Sequence, residues 1–589
     1  MGADAGVYWV ASGMPTNRWM SSLTQPFAAL AITLVGASSV VGCMIEVPAI
    51  LAAEDEAGDL DSGPLDESES DSNSNSDSDS GSDSASSGDS PLLDMPDDEP
   101  QPTPYCQVPA GELDGLPFCD PPPPSDLLAP TIAWTWTGPE GETSVMLTPL
   151  VANLDDDNAD GFVDLCDTPD VVVAAVDLPP GKTDVWPLGH LYVIDGASGE
   201  TSLRIEHPID AAINPAIADL DGDGRMEIIA LEPLAANSPY AISSRRLVAF
   251  DGAGNLLWQG NHWQASRGAG AIAVADLDAD GTPEILAPEY VADHAGNYLW
   301  GPADPPLAHS MPVAVDLDLD GDLELMFGGT AYDHQGQLLF QVPGIAANRG
   351  SVAVANFDDD PEPELYVQTN VHGIVEHDGT VKAQCPTNDQ VGSAGYPVAI
   401  RDLDGDGAAE IVFGFSDHVY VLAVAGDQCF VRWSRKLDLI DAQSSGTMFD
   451  LLGDGKAEAI YADQSKLLVF ADDGSIVFQT PRTAREEIAN PIVADVDGDG
   501  AAEILVVSSE PLGDAEVQTQ TPSLVLLQNS DDAFAPARRL WNQHAYTASG
   551  ATELGASSTI EWSTPTGFRT NTRLAVSPAC IPALPAGSN

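Results

Sequence analysis

The sequence predicts an all-β fold assembled from repeated four-strand units. Three features of the chain carry that expectation. An acidic nonapeptide recurs at a spacing of 40 to 57 residues. Apolar residues alternate on both sides of it, as in strands rather than helices. Hairpin turns such as Phe250-Asp251-Gly252-Ala253-Gly254 and Asp472-Asp473-Gly474 separate further apolar runs. No helical periodicity of useful length interrupts the array, which disfavours a βαβ architecture.

The acidic repeat runs from Asp219 to Glu227, with oxygen-bearing side chains at positions 1, 3, 5 and 9: Asp219, Asp221, Asp223 and Glu227. The same spacing returns in Asp276, Asp278, Asp280 and Glu284, then in Asp316, Asp318, Asp320 and Glu324. It returns again in Asn356, Asp358, Asp360 and Glu364, in Asp402, Asp404, Asp406 and Glu410, and in Asp495, Asp497, Asp499 and Glu503. A weaker copy has Asp450, Asp454 and Glu458, with Leu452 in place of the middle carboxylate. The first unit differs: Asn153, Asp155 and Asp157 open a longer acidic loop that continues through Asp160 and Asp164, and Asp170 aligns with the closing acid. This enlarged loop suits one cation or two.

Alternating carboxylates in a tight, glycine-bearing loop fit a hard divalent cation, which takes six to eight oxygens at about 2.3–2.6 Å. Glycine supplies the positive φ angles that such a turn needs, and the carbonyl of position 7 would add a neutral oxygen. An EF-hand loop closes with Glu at position 12 between two helices. Here the acid stands at position 9 between strand-like flanks, so the expected site is strand–loop–strand and the expected ion is Ca²⁺, at several sites. One such loop is an ordinary solvated turn as readily as a site. Regular recurrence of the spacing favours the site.

Units of this length, built from four strands, stack radially as propeller blades and leave few open sheet edges. Eight acidic loops imply seven or eight blades. The count depends on closure, because the segment from Thr131 to Trp136 reads as a spare strand able to complete the last blade, and the chain beyond Trp541 is a second candidate.

The seven loops, together with Phe327-Gly328-Gly329 and Phe413-Gly414 after two of them, resemble the FG-GAP/VCBS-repeat β-propellers, a family that includes the integrin α-subunit head. The resemblance covers residues 131 to about 550. It implies that each loop lies between the first two strands of its blade, on one face of the disc. It departs at Leu452, where the seventh loop is expected to bind weakly or not at all. The run from Arg538 to His544 resembles a closing segment of bacterial members and reads as structural.

Composition narrows the function classes. With 92 acidic against 21 basic residues the net charge is −71, so a basic footprint for nucleic acid is missing and anionic membranes would repel the chain. Bound cations would relieve the self-repulsion that such a charge imposes.

Residues 1–43 read as a signal peptide, with Met14 and Met20 as alternative starts. The apolar run 27–41 is too short for a comfortable membrane span. Val40-Val41-Gly42-Cys43 resembles a bacterial lipobox, which would lipidate Cys43 and place the protein in the cell envelope at the outer membrane or cell surface, with plain secretion as the alternative. Residues 44–102 are a Ser/Asp-rich linker unable to bury apolar surface, hence expected to be disordered. Residues 103–130 form a Cys/Pro-rich lead-in, 131–575 the propeller and 576–589 a tail. Beyond Cys43 six cysteines remain, suggesting up to three disulfides in an exported chain, with Cys106–Cys119 and Cys385–Cys429 as local pairs.

The regular loops use up nearly every carboxylate pair, and no nucleophile elbow, phosphate loop or zinc motif is present, so no catalytic residue is assigned. Trp258, Trp263, Trp300 and Trp433 suit either a glycan platform or the gaps between blades. The expected function is a surface-tethered binding or adhesion scaffold for extracellular protein or glycan, its calcium structural, and touching membrane only through the lipid. The alternative is an extracellular polysaccharide-degrading lyase or hydrolase, which should show a deep central cleft lined with off-motif acids, bases or histidine.

Overall fold

The computed structural model describes residues 127–571, apart from 160, 165, 179–187, 235–243, 266–267, 304–309, 344–350, 359, 369–371, 387–397, 416, 438–445, 485–487, 511–519, 531–532 and 548–566. The signal peptide with Cys43, the linker, nearly all of the lead-in with Cys106 and Cys119, Asp160, Cys580 and the tail lie outside the described residues. Among the described residues every regular element is a strand, and no helix is long and apolar enough to cross a membrane.

Eight antiparallel sheets are the blades of an eight-bladed propeller, and a short parallel pair, Ile213–Asn214 with Gly270–Ala271, lies outside them. Blade 1 comprises Leu150–Ala152, Asp170–Val176, Leu188–Asp195 and Thr201–Asp210. Blade 2 comprises Ala216–Ala218, Glu227–Pro233, Ser244–Phe250 and Leu256–Gln259; blade 3, Ala273–Ala275, Glu284–Ala287, Tyr290–Ala292 and Tyr298–Trp300. Blade 4 is Val313–Val315, Glu324–Phe327, Thr330–Tyr332 and Leu338–Gln341; blade 5 is Ser351–Ala355, Glu364–Gln368, His372–Val375 and Val381–Gln384. Blade 6 is Ala399–Arg401, Glu410–Phe415, His418–Ala425 and Gln428–Lys436; blade 7 is Gly446–Phe449, Glu458–Ala462, Lys466–Phe470 and Ile476–Pro481.

Blade 8 decides the blade count. Its first three strands, Ile492–Ala494, Glu503–Val507 and Leu524–Asn529, come from the end of the array, and its fourth is Pro130–Trp136. That N-terminal strand pairs antiparallel with the third, from Pro130 opposite Asn529 to Trp136 opposite Leu524. The Asn529 side chain locks the join, accepting from the Ala129 amide at 2.8 Å and donating to the Leu127 carbonyl at 3.0 Å. Closing the ring with the two ends of the array removes the open edges that a linear stack would leave.

Composition along each blade follows crowding. First strands such as Ala216–Ala218 and Ala273–Ala275 are small and wholly buried, because eight of them converge near the axis. Second strands are apolar on both faces, as in Asp170–Val176, since each lies between neighbouring blades. Fourth strands are the most exposed, as in Leu256–Gln259 and Leu338–Gln341.

Neighbouring blades are clasped by one recurrent contact. A large side chain on the fourth strand of one blade lies over the glycine of the next blade's outer hairpin turn. Trp258 covers Gly296, Trp300 covers Gly336, Phe340 covers Gly379, Trp433 covers Gly474 and, across the closure, Trp134 covers Gly199. A Cβ on Gly296 would come within 2.4 Å of the Trp258 ring, and Gly296 also has φ +78°, so both space and backbone demand glycine there. The indole of Trp300 donates to the His334 carbonyl at 2.9 Å and that of Trp433 to the Asp472 carbonyl at 3.0 Å. Three of the four tryptophans considered as a glycan platform are therefore inter-blade clasps. Trp263 is instead 40% exposed, beneath the Arg246 guanidinium at 4.8 Å.

The hub is filled by the chain's own C-terminal part. The amide and carbonyl of Trp541 bond those of Val151 in blade 1, and the Asn542 carbonyl takes the Ile217 amide of blade 2. The Gln543 side chain takes the Val274 amide of blade 3 at 2.7 Å, and His544 bonds the Pro312 carbonyl just before blade 4. Ala545 and Phe568 pack in one cluster with Val352 and Val354 of blade 5. Phe568 pairs with Ile400 of blade 6, the Arg569 carbonyl accepts from Thr447 of blade 7, and Asn571 donates to the Val493 carbonyl of blade 8. Two stretches, 541–545 and 568–571, thus touch all eight blades, and the structural reading of the Arg538–His544 run holds. His544 is wholly buried, and burial pushes its imidazole down to about 3.

Trp541, fully buried and stacked on Tyr546, is the largest element of this plug. Trp541→Ala is expected to destabilise the domain by about 3–5 kcal/mol, whereas Trp263→Ala on the surface should cost about 1 kcal/mol or less. Chemical denaturation of the two variants measures the difference; equal midpoints would contradict the role given to the plug.

Candidate metal sites in the acid loops

All eight acid loops join the first strand of a blade to its second, as the family resemblance implied. The register is the same throughout. The residue before position 1 pairs with the closing acid, as Ala218 with Glu227, Ala275 with Glu284, Val315 with Glu324 and Ala494 with Glu503. In the long first loop Ala152 pairs with Asp170, so Asp170 is the closing acid of blade 1.

That closing acid has a fixed task in every blade: one of its oxygens accepts the amide of position 2. The donors are Leu154, Leu220, Leu277, Leu317, Phe357, Leu403, Leu451 and Val496, at 2.7 to 3.1 Å. Its second oxygen is left for the interior of the loop. In six loops the amide of position 6 donates to the carboxylate of position 1, as Gly224 to Asp219, Gly407 to Asp402 and Gly500 to Asp495. The amide of position 7 donates to position 5, as Arg225 to Asp223, Thr282 to Asp280 and Ala501 to Asp499. Backbone at position 4 is left-handed whether the residue is Gly222, Gly405 or Gly498, or instead Ala279 (φ 53°) or Leu319 (φ 59°). The shape of the loop overrides a residue's own preference, at a cost of about 1–2 kcal/mol for each of the latter two.

This geometry brings most of the sequence-selected oxygens together. Asp219, Asp221 and Glu227 place one oxygen each within 4.8 Å of one another, as do Asp276, Asp278 and Glu284. So do Asp316, Asp318 and Asp320, and Asp402, Asp404 and Asp406. In blade 5 the converging acids are Asp358, Glu364 and Glu376, the last from the outer hairpin turn and absent from the loop pattern. Asp223 and Asp280 spend an oxygen on the position 7 amide. In blade 7 Leu452 leaves positions 1, 5 and 9, with Asp454 and Gly455 amides on Asp450.

The donor set suits a hard divalent cation, all of its atoms being oxygen. Buried acceptor oxygens without a donor mark where one would act: Asn153 Oδ1, Asp316 Oδ1 and Glu503 Oε1. Electrostatics agree. Burial, reinforced by neighbouring loop carboxylates, raises Glu227, Glu284 and Glu324 to about 7 and Glu458 to about 8. Asp170 and Asp495 are likewise raised by burial to about 8. A positive charge in the loop is what these groups lack.

Two loops already have one. Lys382 Nζ donates to Asp358 and Glu364 and pairs with Glu376 at 3.3 Å. Arg432 donates to Asp404 and, at 3.1 Å, to Glu410. Burial disfavours the charge of Lys382, but its hydrogen bonds to Asp358 and Glu364 outweigh that and hold its pKa above the usual lysine value. Sequence reading passed over both residues. Their only signal is a base standing among the residues that form a fourth strand, and Arg435 and Lys436 share that signal in blade 6.

Loops 1 and 2 also flank a groove of about 550 Å³, lined by Asp155, Asp156, Asp221, Asp223 and Glu227 over Leu203 and Leu257.

With this geometry in hand, residues 450–506 match the FG-GAP-like repeat family model. The chain is a β-propeller carrying an FG-GAP-like repeat. The matched stretch runs from Asp450 of loop 7 into the second strand of blade 8, so this FG-GAP-like repeat holds loops 7 and 8 with the rest of blade 7 between them. No curated protein sequence matches the chain. Among solved structures it is similar to the biofilm matrix protein Bap1 of V. cholerae, with TM-score 0.58 and 21% identity over 76% of this chain and 99% of that one. It is also similar to the exotype rhamnogalacturonan lyase YesX (TM-score 0.45, 13% identity, 77% and 83% covered). The Bacillus licheniformis rhamnogalacturonan lyase PL11 gives TM-score 0.46 and 16% identity over 78% and 83%. At such identities the likeness is one of fold.

The closing acids also set a pH dependence. In the metal-free chain their folded pKa values are raised from 4.5 to about 7 or 8. They therefore bind protons more tightly folded than unfolded, and the stability they contribute is present below about pH 4.5 and lost as pH rises through about 7. Calcium-depleted protein should melt higher at about pH 5 than at about pH 8, and added calcium should narrow the gap by replacing the proton's charge. Thermal melts of depleted protein at both pH values test this; an equal or higher melting temperature at the alkaline value contradicts it.

Proposed function

We propose that the protein is an exported, calcium-stabilised propeller, tethered to the cell surface through lipid on Cys43, that serves as a binding or adhesion scaffold for extracellular protein or glycan. The observation that carries this reading is how the acids and the axis are used. The carboxylates of the loops are committed to eight oxygen cradles, while the hub is occupied by residues 541–545 and 568–571 of the chain itself. An axial catalytic cleft would need that volume. A scaffold needs a rigid disc, and the plug and the clasps supply one. Similarity in fold to a biofilm matrix protein is in keeping with an adhesive role, and the acid-lined groove between loops 1 and 2 offers a cation-bridged seat for a polar ligand.

Calcium here is structural. Extracellular sites of this chemistry bind at about 10⁻⁴–10⁻³ M, so at about 1 mM calcium each adds on the order of 0.4–1.4 kcal/mol by mass action. Several together rival the whole stability of a domain. Calorimetry of the full chain with and without a calcium chelator should show a large fall in melting temperature on chelation; an unchanged value defeats the calcium reading.

For the ligand, the immobilised protein presented with glycan arrays and matrix proteins should retain at least one class in a calcium-dependent manner. Depolymerisation of an acidic polysaccharide, seen as unsaturated sugar ends or new reducing ends, would instead establish the degrading enzyme.

A further inference from the structure

The eight loops differ in what faces them. In every blade the pairing of third and fourth strands carries a β-bulge, and the residue skipped in the register is Ser202, Leu257, Leu299, Leu339, Lys382, Arg432, Val477 and, in blade 8, Ala133. A bulge turns its extra residue out of the ladder. In blades 2, 5 and 6 it is turned toward the acid loop of the same blade: Leu257 lines the groove with Asp221, Asp223 and Glu227, and Lys382 and Arg432 bond their loops directly. Six of the eight positions carry no charge. The other two are bases.

Both bases engage the same pair of loop positions. Lys382 bonds position 3 (Asp358) and position 9 (Glu364), and Arg432 bonds position 3 (Asp404) and position 9 (Glu410). Positions 3 and 9 are two of the three whose oxygens converge in blades 2 and 3. In blades 5 and 6 the oxygen of the closing acid left over from the position 2 amide is therefore taken. An ammonium or guanidinium and a divalent ion at one point would repel strongly. Blade 5 also has Asn356 at position 1, one negative charge fewer for a metal to neutralise.

A second, independent feature singles out the same two blades. The clasp position that is Trp258, Trp300, Phe340 or Trp433 elsewhere is Ala383 in blade 5. There the disulfide Cys385–Cys429, with Cα atoms 4.7 Å apart, joins the fourth strands of blades 5 and 6 instead. It is the Cys385–Cys429 pair expected from the sequence.

We propose that Lys382 and Arg432 are tethered counter-ions that take the place of the divalent cation in blades 5 and 6, leaving this disulfide-joined pair metal-independent while other loops of the ring depend on metal. The proposal rests on the calcium reading above for those other loops. It assigns two of the predicted sites, Asn356 to Glu364 and Asp402 to Glu410, to side-chain cations of the chain itself.

The experiment compares wild type with Lys382→Leu, Arg432→Leu and the double variant, leucine being the residue at this position in blades 2, 3 and 4. Bound calcium per full-length chain, counted by native mass spectrometry at saturating calcium, should rise by one ion in each single variant and by two in the double. Hydrogen exchange on wild type guards against variants that do not fold. On chelation the amides of Phe357 and Leu403 should keep their protection, whereas those of Leu220 and Leu277 should lose at least about tenfold, the equivalent of about 1.4 kcal/mol. Wild type that binds calcium, with variants that gain none, overturns this proposal alone. Loss of protection at Phe357 and Leu403 equal to that at Leu220 and Leu277 overturns it as well. A wild-type chain that binds no calcium removes the calcium reading and this proposal together.

Discussion

Each blade depends on a single carboxylate at the start of its second strand. Through one oxygen that group accepts the amide of position 2, which fixes the turn between the first two strands. The other oxygen faces the inside of the loop. The acid is mostly buried, surrounded by like charges, and cannot ionise there cheaply without a positive partner. An external ion, a proton or a base on the fourth strand could meet that requirement, and in blades 5 and 6 Lys382 and Arg432 supply the base.

The rest of the architecture holds those eight carboxylates in one arrangement. Small first strands crowd the axis, where the stretches around Trp541 and Arg569 bond to or pack against each blade in turn. At the periphery a tryptophan or phenylalanine seats on the next blade's turn glycine, and between blades 5 and 6 a disulfide stands in for it. Hub and rim together make the disc rigid, so loop geometry is imposed even where the residue resists it, as at Ala279 and Leu319. Rigid elements are what precise ligand or ion geometry requires.

A chain of net charge −71 concentrates much of its repulsion at these loops. Cations held there would neutralise the strongest local fields while the surface between them keeps its excess negative charge. Blades 5 and 6 carry a base of the chain itself against their loop acids and are joined by a disulfide, which makes the ring unequal.

The acid spacing, the strand-like flanks and the turn glycines were legible in the chain because each is a local demand: a loop of that shape needs those oxygens and those φ angles whatever surrounds it. They were enough to predict an all-β ring and Asp170 as a closing acid, while the resemblance to the FG-GAP/VCBS propellers implied the position of each loop within its blade and the structural part of the Arg538–His544 run. Tertiary structure alone decided the eighth blade, since whether the Pro130–Trp136 strand pairs with Leu524–Asn529 depends on ring curvature summed over all the blades. It alone decided that Trp258, Trp300 and Trp433 are clasps while Trp263 is exposed. It alone revealed Lys382 and Arg432, which lie 18 to 28 residues from the acids they bond and reach them through a bulge that no residue pattern announces. Local sequence dictates which oxygens a loop can offer; only the folded blade determines which positive charge arrives to meet them.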